Sequence, residues 1–331
     1  MCCFLYQKGQ MKCYTPHCYR ILTFLVLLFT LLSFLLSIWL RANYGVVRVH
    51  TRLEPAQYIR LVRRGVTAPQ LLHQPHTFSL QQADQFCATQ TPKSGKKHFV
   101  FLMIISSWEN SLRRDYIRNT WAGYDWFREH PDLSYEYKFI ISKPSPDKTY
   151  TSYPTDLSSP DILTADHLAE HYYLLDLKVM WGFSQVLSQH NFDYILKCDD
   201  DTFVNLWRLP SKILGSVNQG YLYGGKVLET HNWSGESISY AAGSGYVLSR
   251  RALCAVVLGH AVYSLRTPRI PIEDAYTGLI NARMGIQLQH LSGFATEHES
   301  CKDFTTVIFH HIHMKLFNRL LRAAVNGTHF C

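Results

Sequence analysis

Three consecutive carboxylates, Asp199, Asp200 and Asp201, follow a run of aromatic and branched residues from Phe192 to Leu196. Such a run predicts a strand buried on both faces. In an open α/β sheet, ligands bind just beyond the carboxyl ends of the strands. Three acids there would raise one another's pKa unless a cation lay among them, and oxygen ligands suit Mg²⁺ or Mn²⁺. The pattern predicts a metal-dependent enzyme acting on a phosphorylated substrate; a solvated turn or a helix N-terminus is the alternative.

A basic segment follows the first predicted strand. Arg113, Arg114 and Arg118 lie on the first turns of a helix predicted over residues 112–121. A nucleotide binds at this position in many α/β sheets. The arginines are therefore candidates for contacts with a nucleotide, and an ordinary basic helix face is the alternative.

Two further groups could complete a site. Glu273 and Asp274 begin a predicted helix, where one of them could act as a general base or both could compensate the helix dipole. His310 and the two histidines that follow it, His311 and His313, come after an apolar run. A histidine at a strand end can complete a metal site, although a structural histidine is the alternative.

These groups lie on a regular alternation of predicted elements. Strands are predicted at residues 98–107, 135–142, 161–164, 192–196, 221–227, 239–248, 286–291 and 306–311, and helices at 112–121, 168–189, 206–217, 251–260, 273–283 and 314–324. Strands alternating with helices predict an α/β domain with a mostly parallel sheet and helices on both faces.

Composition narrows the class of protein. The chain has 331 residues, 47% of them hydrophobic, which supports a folded core and excludes a disordered chain. The net charge is +8, but no dense Lys/Arg run or zinc-finger spacing indicates nucleic-acid binding. Anionic cosubstrates or a membrane surface are the better explanation of the charge.

An uncharged apolar stretch at residues 21–40 predicts a membrane span. It would extend roughly 30 Å as a helix, the thickness of a bilayer core, and it is too long for a cleaved signal peptide. The chain then divides into a cytoplasmic tail (1–20), a signal anchor (21–40), a luminal stem (41–95) and a folded domain (96–331). Glycosylation acceptors at Asn232 and Asn326 favour a luminal domain.

The nine cysteines divide between the two sides of the membrane. The four before the span would be reduced, whereas disulfides persist in the lumen. The five luminal cysteines are an odd number, so at least one is free or pairs outside the chain. Cys198, within the strand that leads to the acids, is expected to be a small buried hydrophobe. The luminal set is Cys87, Cys198, Cys254, Cys301 and Cys331.

Taken in order, these segments resemble the β-1,3-galactosyltransferase type of inverting β-1,3-glycosyltransferases of the Golgi. The resemblance covers residues 96–331 and implies a single nucleotide-sugar-binding domain of the GT-A type on a type II membrane protein. It also implies transfer of a sugar from a UDP-sugar with Mn²⁺ (or Mg²⁺). The matching stretches are Arg114-x-x-Ile117-Arg118-x-Thr120-Trp121, Lys197-x-Asp199-Asp200-Asp201-x-Phe203-x-Asn205, Gly243-x-Gly245-x-x-x-Ser249 and Glu273-Asp274-x-Tyr276-x-Gly278.

The resemblance assigns roles to individual residues. Asp199 would lie near the ribose, Asp201 and His310 would hold the metal, and Asp274 would be the base. The donor pocket would also include Asp200, Arg114, Arg118 and Trp121. Two positions depart from the family pattern: Ala275 replaces a valine after the Glu-Asp pair, and alanines stand where a cysteine often precedes the glycines. Cys301 and Cys331 resemble paired late cysteines of some members.

Several alternatives remain open. The resemblance favours galactose, transferred from UDP-galactose in β-1,3 linkage, and N-acetylglucosamine or N-acetylgalactosamine is the alternative donor sugar. The acceptor glycan could be carried by a glycolipid, a glycoprotein or a proteoglycan. A metal-dependent phosphohydrolase would need a second ligand cluster and would leave the arginine segment unexplained. A non-catalytic chaperone or sugar-binding relative would be expected to lack the acids or the base, and both are present.

Overall fold

The computed structural model describes residues 5–7, 10–12, 80–88, 98–146, 148–149, 153–214, 220–231, 235–264, 270, 272–295 and 305–328. The chain divides into two compact units, residues 1–57 and 58–331. In the first unit, β1 (Leu5–Gln7) pairs with β2 (Gln10–Lys12) as an antiparallel hairpin. The predicted span at 21–40 lies outside the described residues. Among those that are described, no helix has the length and apolar character needed to cross a bilayer.

The second unit contains the remaining described strands and helices. The strands are β3 (His98–Ile105), β4 (Tyr135–Lys143), β5 (Ile162–Ala169), β6 (Phe192–Asp199), β7 (Phe203–Val204), β8 (Tyr223–His231), β9 (Ser237–Ser249), β10 (Leu288–His290) and β11 (Ile308–Phe309). The helices are α1 (Leu80–Ala88), α2 (Ser111–Arg118), α3 (Asp125–Arg128), α4 (Leu175–Gln189), α5 (Leu209–Leu214), α6 (Arg250–Tyr263), α7 (Glu273–Arg283) and α8 (Met314–Asn326).

The central sheet has the strand order β10-β8-β9-β6-β3-β4-β5 in the part of the chain that the structure describes. Its strands run parallel except β9, which is antiparallel to both of its neighbours. A separate antiparallel ribbon joins β7 to β11. The prediction of an α/β domain with a mostly parallel sheet is confirmed.

Strand β3 shows how the sequence builds a core on each face. Alternate side chains of a strand point to opposite faces. Phe101 and Met103 pack into the core under α4, α6 and α7, while Val100 and Leu102 pack into the core under α2, α3, α5 and α8. All four are fully buried, and each such side chain contributes about 1.5–3 kcal/mol by leaving water. Helices therefore cover both faces, as predicted.

The predicted helix at 168–189 begins later than expected. Residues up to Ala169 form β5, which pairs with β4 at the edge of the sheet, and a 3₁₀ turn at Tyr172–Leu174 precedes α4. The His171 side chain accepts a hydrogen bond from the Tyr173 amide and caps this turn. The pairing with β4, which lies far away in sequence, overrides the local helical pattern.

Helix α1 lies in the segment predicted to be a stem, yet it packs against the domain. Cys87 forms a disulfide with Cys254 of α6, with a Cα–Cα distance of 6.1 Å. Asp84 accepts two hydrogen bonds from Arg251, of 2.7 and 2.6 Å, and Ala83 is buried. The packed domain therefore begins before the predicted boundary at residue 96.

The other cysteines and the acceptor asparagines divide between described and undescribed residues. Cys198 is a buried free thiol, as expected. The candidate pair Cys301 and Cys331 lies outside the described residues, and so does Asn232. Asn326 is exposed at the end of α8.

Candidate active site

Asp200, the second of the three consecutive acids, is held by hydrogen bonds with the main chain and with two side chains. Its amide donates to the Ile105 carbonyl (3.0 Å), and its carboxylate Oδ2 accepts hydrogen bonds from Ser106 Oγ and Asn110 Nδ2, both 2.8 Å. Burial raises the pKa of Asp200 even though these bonds favour its charged form. The side chain therefore ties the loop after β6 to the loop after β3, between the two central parallel strands.

Asp201 meets the late histidines. His310 Nε2 lies 3.2 Å from Asp201 Oδ1, and His311 Nδ1 lies 3.2 Å from Asp201 Oδ2. The ribbon of β7 and β11 and a bond from the Ile312 amide to the Asp201 carbonyl (2.9 Å) bring the two segments together. Burial alone would raise the pKa of Asp201, but hydrogen bonds from both histidines outweigh it and hold this pKa below its usual range.

These three side chains form a set that could hold a metal ion. One ligand atom from each lies within 4.8 Å of the others. The sequence singled out His310; the structure adds His311, whose φ of +56° places its backbone in the left-handed region. This conformation is uncommon outside glycine, although histidine adopts it more readily than most residues. His310 and His311 are adjacent in the sequence, and this adjacency was the signal that could have identified His311 as a second candidate ligand.

Lys197 connects Asp199 to the two acids of α7. Its Nζ lies 2.9 Å from Asp199 Oδ1 and 2.9 Å from Glu273 Oε2, and it donates to the Gly243 carbonyl at 3.0 Å. Burial would lower the pKa of Lys197, but the carboxylates of Asp199 and Glu273 outweigh this and raise it. Lys197 lies two residues before Asp199 on β6, so strand alternation places both side chains on the same face.

The structure separates the roles of Glu273 and Asp274. Glu273 is buried and accepts hydrogen bonds from Tyr246 OH (2.7 Å) and Thr277 Oγ1 (3.1 Å) in addition to its ion pair with Lys197. Asp274 is only partly buried, so it is the member of the pair that remains accessible to a substrate. Burial and, next, the neighbouring Glu273 charge raise the pKa of Asp274, which suits a general base.

Gly243 holds Asp274 in place. Its amide donates to Asp274 Oδ2 at 2.7 Å, and the Ala275 amide donates to Oδ1 at 3.0 Å. A Cβ at position 243 would lie 3.1 Å from Asp274 Oδ2. The absence of a side chain at this glycine is therefore what lets β9 approach the carboxylate, as the glycine-rich stretch suggested.

A series of contacts links the acids that were predicted to act together. His310 Nε2 lies 3.9 Å from Asp199 Oδ2 as well as 3.2 Å from Asp201 Oδ1. Three contacts link Asp199 to Asp274: Asp199 to Lys197, Lys197 to the Gly243 carbonyl, and the Gly243 amide to Asp274. The candidate site therefore combines a set of oxygen and nitrogen ligands (Asp201, His310 and His311) with Asp274, a carboxylate whose pKa is raised.

The predicted donor-pocket residues in α2 and just after it have other surroundings. Arg114 is fully buried and forms two hydrogen bonds with Asp156, of 2.8 and 2.7 Å. Arg118 pairs with Asp161 and Asp156, and Trp121 is fully buried in the core. Arg113 instead directs its Nη1 to 3.8 Å from Asp200 Oδ1 and 4.0 Å from Asp201 Oδ2. Arg113 is therefore the arginine of this helix that faces the acids.

Comparison with known proteins places the chain in a family. It matches the family model described as Galactosyltransferase over residues 112–292, more than half of its length. It is 26% identical over 243 residues to beta-1,3-galactosyltransferase 4 of Rattus norvegicus, covering 60% of this chain and 63% of that protein. It is 26% identical over 233 residues to beta-1,3-galactosyltransferase brn of Drosophila melanogaster, covering 63% and 69%.

A third relative carries a different name. The chain is 26% identical over 229 residues to lactosylceramide 1,3-N-acetyl-beta-D-glucosaminyltransferase A of Xenopus laevis, covering 61% of this chain and 58% of the relative. The chain thus spans less than two thirds of the rat and Xenopus proteins. Because the match to the family model covers more than half of its residues, this chain belongs to the galactosyltransferase family.

Proposed function

We propose that the chain transfers galactose from UDP-galactose in β-1,3 linkage to an acceptor glycan, with inversion and dependence on a divalent metal. One observation carries the proposal. Lys197 joins Asp199, at the end of β6, to Glu273, the neighbour of Asp274, and this link supports a donor-side role for Asp199 and a base at Asp274. Family membership supports glycosyl transfer as the reaction class.

The ligand set fits a divalent cation. Asp201, His310 and His311 supply carboxylate oxygen and imidazole nitrogen atoms that lie within 4.8 Å of one another. Carboxylates suit Mg²⁺ and Mn²⁺, whereas imidazole favours transition metals over Mg²⁺, so Mn²⁺ is the better match. A bound Mn²⁺ would supply Lewis-acid stabilisation to the departing UDP. Asp199, held by Lys197, is proposed to contact the ribose.

Asp274 is proposed to act as the base. Its carboxylate would accept the proton of the acceptor hydroxyl as that oxygen attacks the anomeric carbon. The oxygen–carbon bond to the acceptor forms, and the bond to the UDP oxygen breaks, with inversion. The amides of Gly243 and Ala275 orient the carboxylate, and the raised pKa makes it more basic than an exposed aspartate.

A second donor is supported by one comparison. The Xenopus relative is named as an N-acetylglucosaminyltransferase and matches as well as the galactosyltransferases do. This comparison supports N-acetylglucosamine as the alternative to galactose; N-acetylgalactosamine is a further alternative on the same fold. A phosphohydrolase is disfavoured because Asp201, His310 and His311 are the one group of potential metal ligands identified in the described residues.

We also propose a placement in the Golgi membrane, with a single span at residues 21–40 and the catalytic domain in the lumen. The disulfide between Cys87 and Cys254 supports an oxidising compartment. The exposed position of Asn326 makes its acceptor sequence accessible to glycosylation.

The test uses the full chain with a panel of UDP-sugars and β-linked acceptor glycosides. We expect UDP-galactose to be consumed with Mn²⁺, a new β-1,3 linkage by NMR, and at least about a 100-fold lower rate for Asp201→Ala. Asp132 is an exposed acid in the turn before β4, and Asp132→Ala is the matched control. Failure to transfer sugar from any UDP donor would contradict the proposal.

A further inference from the structure

Lys178 of α4 is a buried cation beside the candidate site, and the proposed reaction does not use it. Its side chain is only 4% exposed. Its Nζ donates to the Ser106 carbonyl at 2.7 Å and to both carboxylate oxygens of Glu170, at 3.0 and 2.9 Å. A lysine is rarely buried unless it is paired, and a buried ion pair often stabilises a fold no better than apolar side chains of the same size. The role of this pair therefore lies in what it holds in place.

The pair joins the ends of three neighbouring strands. Glu170 follows β5 directly; its amide donates to the Lys143 carbonyl at 2.7 Å, and its Oε2 accepts from the Ser142 amide at 3.2 Å. Both of these partners lie at the end of β4. Ser106 follows the last residue of β3. Lys178 thus connects the ends of β4 and β5 to the end of β3, on the side of the sheet where the three acids lie.

Ser106 carries this contact on to the acids. Its carbonyl accepts from Lys178, and its hydroxyl donates to Asp200 Oδ2 at 2.8 Å. From the other side, Arg114 Nη1 donates to the same hydroxyl at 3.0 Å and to the Ser107 carbonyl at 2.7 Å. Both cations are buried, and each is paired with a carboxylate of its own. Two buried cations therefore fix the peptide that directs the Ser106 hydroxyl to Asp200.

We propose that Lys178 is a positioning residue for the metal-binding side of the site, and that it acts through Ser106 on Asp200 and thereby on Asp201. The inference rests on the proposed function, because it concerns the place where that function needs a divalent cation. Asp200 and Asp201 share a peptide bond, so the contact that anchors the first also sets the backbone that carries the second, a candidate ligand. Groups that orient metal ligands typically change metal affinity by about 10- to 100-fold when they are removed.

The experiment measures Mn²⁺ binding by the full chain in the absence of a UDP-sugar, from the EPR signal of free Mn²⁺, together with urea unfolding. Lys178→Met should raise the Mn²⁺ Kd about 10-fold. It should also lower the urea midpoint, because Glu170 loses its counterion. Lys178→Met/Glu170→Gln removes that unpaired charge and keeps an acceptor for the Ser142 amide. This double variant should regain much of the urea midpoint while its Mn²⁺ Kd stays raised.

A double-mutant cycle tests the route of the effect. Ser106→Ala removes the hydroxyl that contacts Asp200 and keeps the carbonyl that accepts from Lys178. Alone, it should also raise the Mn²⁺ Kd about 10-fold. Because both changes break one route, Lys178→Met/Ser106→Ala should raise the Kd no further than the larger of the two single effects. Independent effects would instead multiply to about 100-fold.

Lys138→Met is the matched control. Lys138 of β4 also pairs with a carboxylate, Glu136 at 3.4 Å, and also donates to a main-chain carbonyl, that of Pro160 at 2.9 Å. These partners lie within β4 and just before β5, away from the strand ends that Lys178 joins. The control variant should therefore keep the wild-type Mn²⁺ Kd.

The outcomes separate this inference from the proposed function. A wild-type Mn²⁺ Kd in both Lys178 variants, or in Ser106→Ala, overturns the positioning role and leaves the transferase in place. A Kd that recovers together with the urea midpoint in Lys178→Met/Glu170→Gln also overturns it, because Lys178 would then only support the fold. Multiplicative effects in the cycle overturn the route through Ser106. A wild-type chain that neither binds Mn²⁺ nor uses a UDP-sugar removes the proposed function, and this inference with it.

Discussion

Lys197 Nζ lies 2.9 Å from Asp199 Oδ1 and, through a second contact of 2.9 Å, holds the Glu273 carboxylate. Both the lysine and Glu273 are buried. The pair therefore joins β6, which carries the acids, to α7, which carries Asp274. A buried ion pair of this kind is sensitive to the loss of either partner, because the remaining charge has no counterion.

Replacing Lys197 with methionine should lower the free energy of unfolding by about 3–5 kcal/mol and reduce transfer. The substitution leaves Glu273 as an unpaired buried carboxylate. Urea unfolding, followed by circular dichroism, measures the effect. Lys148→Met is the matched control, because Lys148 and its partner Glu109 are half exposed and such pairs contribute less than about 1 kcal/mol. Equal stability of the two variants would contradict the role of Lys197.

Asp156 should control stability in acid. Burial opposes its ionisation, but hydrogen bonds from Arg114 and Arg118 outweigh this and lower the pKa of Asp156 to about 2. A carboxyl with a depressed pKa stabilises the fold above the pKa of the unfolded chain, about 3.9. This stability is lost as the pH falls through about 2.

The corresponding variant is Asp156→Asn. It should lower the free energy of unfolding at pH 7 by about 3–5 kcal/mol, because Arg114 is fully buried and would lose its carboxylate. Its stability should also change less with pH between 4 and 2, measured by urea unfolding across that range. Asp115→Asn, at a half-exposed partner of Arg118, should change stability by about 0.5 kcal/mol or less. Parallel pH curves for wild type and Asp156→Asn would argue against this assignment.

Asp274 should set the acidic limb of the pH–rate profile. Burial and the Glu273 charge raise its pKa, and a base works only when ionised, so the rate should fall as the pH drops through that raised value. Asp274→Asn should reduce transfer at least about 100-fold. Because the raised pKa means that the charged form is disfavoured in the fold, the variant should be at least as stable as wild type at pH 7. A marked loss of stability would indicate a structural role instead.

The disulfide should stabilise the catalytic domain. It joins α1 to α6 across 167 residues of sequence. The double variant Cys87→Ser/Cys254→Ser should lose about 2–5 kcal/mol of unfolding free energy, as is usual when a native disulfide is removed. Thermal unfolding with and without reductant measures this for the wild type. No difference on reduction would mean that α1 is not fastened to the domain.

Local patterns were sufficient to predict where the segments of the candidate site lie in the fold. A buried strand followed by acids is a short-range signal, and so Asp199–Asp201 were placed correctly at the end of β6. The parallel sheet followed from the alternation of strands and helices. Glu273 and Asp274 were found at the start of α7, as the sequence indicated.

Features that depend on distant partners were not predictable from local patterns. Arg114 is an ordinary basic residue in the sequence, and only the approach of Asp156, 42 residues away, shows why it is buried. Cys87 was placed in a stem because nothing near it indicates packing on Cys254. Strand β7, of two residues, is too short to show any periodicity.

The dependence of the initial transfer rate on Mn²⁺ tests the central claim most directly, because that claim is a divalent cation held at Asp201 and His310 beside the base Asp274. We expect a strong chelator to abolish transfer and Mn²⁺ to restore it. His310→Ala should need at least about 10-fold more Mn²⁺ for half-maximal rate. The control is His313→Ala, because His313 caps α8; this variant should show the same Mn²⁺ dependence as the wild type. Full turnover in the presence of the chelator, or identical Mn²⁺ curves for His310→Ala and the wild type, would contradict the account.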